Sequence, residues 1–397
     1  MAQLVAKTYP GPLVSAVDLP VPRLCHPRLT RLPIESQKPG ALDFFAGSGL
    51  VSEALNPYFR TVWANDNCSK KASVFRANHP HTPLRLESIE QVRGVDVPEA
   101  VLSWGSFPCQ DLSLAGNMGG IRSERSGLVW EWLRVMDEMA ERPPLVVAEN
   151  VLGLISSAEG EHYRSLHVAL VDRGYQVGAL VLDSASWLPQ SRKRVFVVGI
   201  QRSLGRCQPA VGGPTWCHPL SLTRIAATLP HWVWWALPVP DMQSRTLDAL
   251  VDWDAPCDDD ERCRRNLALV TERHRAAAGR AVADGARVFP GYKRRRNGKQ
   301  VLELRFDGLA GCLRTPEGGS SRQTLVLWKE GRFNTRLLTV REAARLMGAP
   351  DTYLLPGTYN DGYRAMGDAV ALPVVRFLAQ HLLVPLASAI GGASTCL

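Results

Sequence analysis

Three short apolar runs, each ending in residues able to do chemistry, constrain this chain more than any other feature. Ala41 to Phe45 stops at the glycine turn Ala46-Gly47-Ser48-Gly49. Val101-Leu102-Ser103-Trp104-Gly105 hands over to Ser106-Phe107-Pro108-Cys109, and Leu145-Val146-Val147-Ala148 delivers Glu149-Asn150. Apolar runs of this length, bounded by turn residues, read as strands buried on both faces of a largely parallel sheet. Open α/β sheets place their ligands beyond the carboxyl ends of such strands. A thiol and a carboxyl group therefore stand at neighbouring strand ends, as a nucleophile and an acid would.

At 397 residues the chain can bury a large core, and 45% hydrophobic with 21% charged residues is ordinary for a soluble globular protein. The formal charge of +8 favours a polyanionic partner. Nine cysteines lie at irregular spacings without a CxxC pair, which favours a reducing, cytoplasmic setting over a disulfide framework. Cys207, Cys217-His218, Cys257 and Cys263 fit no common zinc spacing, so no metal is expected. The proline-punctuated N-terminus does not read as a signal peptide, and the apolar stretch His231 to Pro240 is too short and aromatic for a membrane span.

Gly47 and Gly49 let the backbone turn tightly near a ligand, and the loop has no Lys-Ser/Thr pair of the kind that cradles a triphosphate. Thr61 to Asn65 reads as a second strand, ending at Asp66. There a carboxylate either meets a ribose or caps the helix starting near Ser69. Leu128 to Glu141 and Tyr163 to Val171 carry helical spacing, and Tyr175 to Leu182 and Arg194 to Ile200 read as strands. Arg192 and Arg194 share one face of an extended segment, since side chains repeat every two residues. Residues 202–335 hold 21 Lys/Arg against 14 Asp/Glu, and the basic run Tyr292 to Lys299 reads as turn-like. Gly318 to Gln323 is a second loop suited to phosphate contact. Thr339 to Glu342 has capping-box spacing, and a last amphipathic helix runs to Leu383.

In chain order, DxFAGxG (Asp43–Gly49), PCQ (Pro108–Gln110), ENV (Glu149–Val151) and QxRxR (Gln190–Arg194) resemble the motifs of the bacterial DNA cytosine-5 methyltransferases. So do RxLTxREAARLMG (Arg336–Gly348) and Met366-Gly367-Asp368-Ala369-Val370, where the family usually has GNAV. The resemblance spans residues 40 to 385 and implies a Rossmann-like α/β methyltransferase sheet, with a smaller, irregular target-recognition domain inserted before the C-terminal helices. The implied divisions are an N-terminal extension (1–39), a catalytic and cofactor-binding domain (40–203) and a target-recognition domain (204–335). A C-terminal segment returning to the catalytic domain (336–390) and a tail (391–397) complete the chain.

The resemblance further implies S-adenosylmethionine as cofactor, with Phe45 on the adenine and Asp66 on the ribose. Asp43, Ala46, Gly47, Gly49, Asn67, Ser88, Ile89, Pro108, Leu128, Asp368 and Ala369 complete that site, Ser88 standing where many members have aspartate. Cys109, Glu149, Arg192 and Arg194 are the implied catalytic groups. Gln110, Ser113, Arg122, Gln190, Lys293, Arg294, Arg295, Arg296 and Arg322 are the implied contacts to double-stranded DNA. Thiolate attack on cytosine C6 would make C5 nucleophilic, with Glu149 sharing a proton with N3 of a base flipped out of the duplex. The expected protein is a monomeric, nucleoid-associated methylase, orphan or paired with a restriction endonuclease that acts on the same site without a stable complex. A tRNA cytosine-5 methyltransferase of the same fold and a catalytically silent DNA-binding regulator are the alternatives. A thiol hydrolase is disfavoured because no histidine accompanies Cys109 or Glu149 in these motifs.

Overall fold

The computed structural model describes residues 38–108, 127–204, 209–241, 246–314 and 322–394, with side chains to residue 390. Seven strands form the main sheet: β1 (Gly40–Phe44), β2 (Arg60–Asp66), β3 (Leu84–Leu86), β4 (Leu102–Gly105), β5 (Leu145–Val151), β6 (Tyr175–Asp183) and β7 (Lys193–Gln201). Their order is β3-β2-β1-β4-β5-β7-β6. β1 to β5 pair in parallel, and β7 runs against both of its neighbours. The chain winds outward from β1 to β3, then returns to place β4 on the other side of β1. That reversal opens a crevice at the carboxyl ends of β1 and β4.

The continuous apolar runs are explained by burial on both faces. In β5, Leu145 and Val147 enter one core while Val146 and Ala148 enter the other. Fully burying each such aliphatic side chain contributes roughly 1.5–3 kcal/mol. The helices α1 (Leu50–Leu55), α2 (Ser69–Asn78), α3 (Leu128–Glu138), α4 (Gly153–Ser156) and α5 (Glu161–Asp172) connect these strands. α3 buries Val129, Trp132, Leu133, Val135 and Met136, the stripe that helical spacing places on one face. Trp132 packs so closely under β4 that a Cβ at Gly105 would lie 3.2 Å from its ring.

Residues 210–237, grouped by the sequence reading with the insert, pack against the main sheet. β8 (Ala210–Val211) pairs with β9 (Trp234–Trp235), and α6 (Leu220–Ala226) lies between them in sequence. The Val233 N–H donates to Val177 O (2.9 Å), the Val177 N–H donates to His231 O (3.0 Å), and Trp235 Nε1 donates to Val198 O (3.1 Å). Gly178 makes this approach possible, because a Cβ there would meet Val233 O at 2.0 Å.

The insert proper contains α7 (Leu247–Leu250), α8 (Asp260–Ala268) and α9 (Glu272–Ala283). Its second sheet, antiparallel throughout, has the order β11-β10-β12-β13, with β10 (Val288–Arg296), β11 (Lys299–Leu304), β12 (Thr324–Lys329) and β13 (Arg332–Leu337). Phe289, Leu302, Leu304 and Val326 form a separate small core with Val270 and Ala278. The basic run from Tyr292, expected to be turn-like, is strand through Arg296. Only Asn297-Gly298 turns, both with positive φ (49° and 76°), as a two-residue hairpin requires.

Finally α10 (Val340–Leu346), α11 (Tyr359–Asp368), α12 (Leu372–Leu378) and α13 (Val384–Ser394) return to the main sheet. Thr339 and Glu342 make the reciprocal capping box read from their spacing. The last helix does not stop at Leu383. A π-helical turn, Ala379–Leu383, precedes Pro385, which has no N–H for the regular ladder, and the helix then resumes. By length and apolarity Tyr359–Ile390 would suit a membrane, yet 61% of its most apolar window is buried inside the protein.

Candidate active site

The crevice is a cavity of about 650 Å³ bounded by the ends of β1, β2, β4 and β5, the start of β7 and the end of α11. One wall is built by the glycine turn. Phe45 holds the left-handed conformation (φ 58°), unfavourable for a residue with a Cβ, and Gly47 follows at φ 56°. The turn is pinned by the Ala46 N–H donating to Asn65 O (2.9 Å) and the Gly47 N–H donating to Asp66 Oδ2 (2.8 Å). Asp66 Oδ1 accepts from the Cys68 N–H (2.8 Å), so the carboxylate fixes the turn leading into α2 and also faces the cavity. It precedes the helix without capping it, since the N-cap of α2 is Cys68 and no side chain bonds there. Ala46, Asn67, Ser88, Ile89 and Leu128 complete this wall, and the Ser88 hydroxyl donates to Glu90 Oε2 (3.1 Å).

The opposite end is formed by Ser106, Phe107, Pro108, Glu149, Asn150, Arg192 and Arg194. Glu149 is only 7% exposed and pairs with Arg194 Nε (3.1 Å). Burial raises its carboxyl above the ordinary range, while Arg194, Arg192 and a hydrogen bond from Ser106 restrain the rise. Asn150 Nδ2 donates to Phe107 O (2.9 Å) and thereby fixes the backbone immediately before Pro108. Cys109, Gln110, Ser113 and Arg122 lie outside the described residues.

Arg192 and Arg194 both reach this cavity but are used differently. Arg192 donates to Cys312 Sγ (3.2 Å), Leu313 O (3.4 Å), Gly367 O (3.0 Å) and Ala369 O (2.6 Å). It thereby joins the end of the insert, the C-terminal motif and the start of β7. Arg194 is the arginine that faces Glu149. Although burial pushes the Cys312 thiol up, the charges of Arg192 and Arg194 outweigh it and hold the thiol below its ordinary value.

Three expected contacts lie elsewhere. Asp43 is buried beneath the turn, where Oδ2 accepts from the Ser52 hydroxyl (2.7 Å), and it does not line the cavity. Gly49 is also behind the wall; it is glycine because a Cβ would meet the His79 ring at 2.7 Å. Gln190, expected on DNA, is fully buried. Its Nε2 donates to Leu346 O (2.6 Å) and its Oε1 accepts from the Leu313 N–H (3.3 Å).

The basic strand splits by face. Arg294 and Arg296 share one face with Tyr292 and both engage Glu303, at 3.1 and 2.5 Å. Tyr292 donates to Cys312 O (2.7 Å), which places that face next to the Arg192 cluster. Lys293 and Arg295 point to the other face, where Lys293 senses Arg262, Asp258 and Arg265. Arg322, just before β12, lies against the start of α11 instead, with its guanidinium 5.5 Å from the Tyr359 ring centroid and bonded to Asn360 Oδ1.

Residues 40–383 match the family model described as C-5 cytosine-specific DNA methylase. The chain belongs to that family. Among similar proteins is the Type II methyltransferase M.Bsp6I of Bacillus sp. (strain RFL6), 25% identical over 86% of this chain and 97% of that protein. Another is the Type II methyltransferase M.MthTI of Methanothermobacter thermautotrophicus, 27% identical over 86% and 96%. The fold resembles the S. pombe Dnmt2 methyltransferase (TM-score 0.57, 17% identity, covering 88% of this chain and 99% of that one). It also resembles the Entamoeba histolytica methyltransferase EhMeth (TM-score 0.59, 12% identity, covering 89% and 99%).

Several wall residues of this methylase escaped the sequence reading. Asn150 was inside a recognised motif, and its role as a backbone clamp could have been suspected from that. Lys71 and Arg364 line the cavity without a local signal, and Cys312 reaches its edge only through Arg192, 120 residues away.

Proposed function

We propose that the protein is a DNA cytosine-5 methyltransferase that transfers a methyl group from S-adenosylmethionine to C5 of a cytosine flipped from duplex DNA. The observation carrying this reading is Glu149, buried and paired with Arg194, in the same cavity as the Phe45 and Asp66 wall. The residues fit the cofactor. Phe45 and Ile89 offer apolar surface for an adenine, and each Asp66 oxygen accepts only one N–H, leaving lone pairs for ribose hydroxyls. S-adenosylmethionine supplies an electrophilic methyl group when bound there.

Cys109 is the nucleophile of this proposal, adding to cytosine C6; once C5 carries the methyl group, a base removes the C5 proton and the thiolate leaves. Glu149 shares its proton with N3, since a carboxyl raised by burial is matched to that task. Arg194 orients Glu149, and Arg192 positions the three segments that close the site. Asn150 holds the loop carrying Pro108. The 204–335 segment reads the target sequence, with Arg294 and Arg296 on the face adjoining the cavity and Lys293, Arg295 and Arg322 as flanking contacts. Gln110, Ser113 and Arg122 engage DNA from the loop after the nucleophile. The enzyme acts as a monomer in the bacterial cytoplasm, as an orphan methylase or alongside a restriction endonuclease of the same specificity.

Incubating the protein with methyl-labelled S-adenosylmethionine and either duplex DNA or tRNA tests the substrate. Label should enter duplex DNA at cytosine C5, and exclusive labelling of tRNA would overturn the reading. A duplex containing 5-fluorocytosine should trap a crosslink that mass spectrometry maps to Cys109; a crosslink on another residue would refute the assigned nucleophile.

A further inference from the structure

Eight charged residues line the cavity, and the two ends use five of them. Glu149, Arg192 and Arg194 line the end assigned above to the base, and Asp66 and Glu87 the end assigned to the nucleoside. Lys71, Arg364 and Asp368 remain. Lys71 Nζ lies 2.5 Å from Asp368 Oδ2, with 19% and 35% of the two side chains exposed. The lysine stem reaches the turn, its Cδ standing 3.9 Å from where a Cβ would sit on Gly47. A pair half-shielded from water on a cavity wall keeps more of its electrostatic strength than a surface pair.

A sulfonium cofactor has three branches. With its methyl toward Pro108 and Glu149 and its adenosyl group on Phe45 and Asp66, the amino-acid branch must run along the wall formed by Gly47 and Gly367–Val370. That branch ends in an ammonium and a carboxylate. We propose that Lys71 and Asp368 bind this zwitterion, Asp368 facing the α-ammonium and Lys71 the α-carboxylate, an assignment that rests on the S-adenosylmethionine reading above. The pair need not break, because an ammonium has three donors and a carboxylate about four acceptor sites. Four alternating charges then close a ring with no net charge. An asparagine at position 368, as in the usual form of the motif, would contribute only a neutral partner, and charged hydrogen bonds are roughly twice as strong. Aspartate at 368 and lysine at 71 thus act as one unit.

Equilibrium binding to the full-length protein, with no turnover, tests this. The probes are S-adenosylhomocysteine, which has the zwitterion, and 5′-methylthioadenosine, which lacks it. Lys71→Met and Asp368→Asn should each weaken S-adenosylhomocysteine about tenfold while leaving 5′-methylthioadenosine within about twofold. Lys70→Met is the control, since Lys70 joins the same two helices through Asp361 (2.7 Å) outside the cavity, and it should change neither affinity. Equal losses for both ligands would mean that the pair merely holds α2 against α11 and would overturn the proposal. Unchanged S-adenosylhomocysteine affinity in Lys71→Met would also overturn it, assigning the carboxylate to Arg364. If the wild-type protein binds neither probe, the methyltransferase reading itself falls, a result distinct from either of the others.

Discussion

Asp43→Asn should make the protein more resistant to alkaline conditions, by an amount the structure sets. Asp43 is enclosed at the end of β1, with Oδ2 bonded to Ser52 and Oδ1 without a partner. Burial pushes its carboxyl from 3.8 up to about 7; the Ser52 hydroxyl opposes the rise and nearby Asp66 adds to it. Below pH 3.8 the group is protonated in both folded and unfolded chains and has no effect on stability. Between 3.8 and about 7 the unfolded chain ionises first, so stability falls as pH rises, and above that window the loss is constant. The shift corresponds to roughly 4 kcal/mol. Asparagine keeps a partner for Ser52 and carries no charge. Denaturant unfolding of both proteins from about pH 4 to about pH 8.5 should show the variant gaining on the wild type by roughly that amount, mostly below neutrality. A difference independent of pH would refute the reasoning, because it would mean Asp43 ionises as if it were in water.

Glu342→Ala should cost roughly 3–5 kcal/mol by thermal unfolding, because it strands Arg336, only 3% exposed, which now pairs with Glu342 at 2.6 Å; an unchanged midpoint would show that water reaches the guanidinium. Arg192→Lys should destabilise the protein by roughly 2 kcal/mol, since an ammonium cannot span Cys312, Gly367 O and Ala369 O together. Arg194→Lys should instead lower kcat with little change in stability, and the reverse pattern in unfolding and rate measurements would exchange the two roles. Arg294→Ala and Arg296→Ala should each reduce the slope of log affinity for duplex DNA against log salt by about 1; slopes equal to wild type would place this face away from the phosphates.

The parts legible in the sequence were those governed by local periodicity. The apolar runs of β1, β4 and β5, the stripe of α3 and the Thr339-Glu342 box were readable because strand pleat, helical turn and cap each leave a pattern within a few residues. The place of Asp66 was legible for the same reason, closing a strand shortly before a helix. The run after Tyr292 misled because arginine next to Asn-Gly looks like a loop, whereas pairing with β11 and with Glu303 makes it strand.

By itself the sequence determined the buried strands β1, β4 and β5 and which reactive groups follow them, since backbone sterics and turn chemistry act over short distances. Tertiary structure alone decided what each of those side chains touches. Gln190 turns inward because its acceptor, Leu346 O, comes from 156 residues away. Arg192 becomes a tie between segments because the insert and the C-terminal motif converge on it. Lys71 gains an ion-pair partner only where α11 folds back to bring Asp368 beside it. A side chain's charge and shape are written locally, but its partner is chosen by whichever distant segment the closing of the sheet delivers.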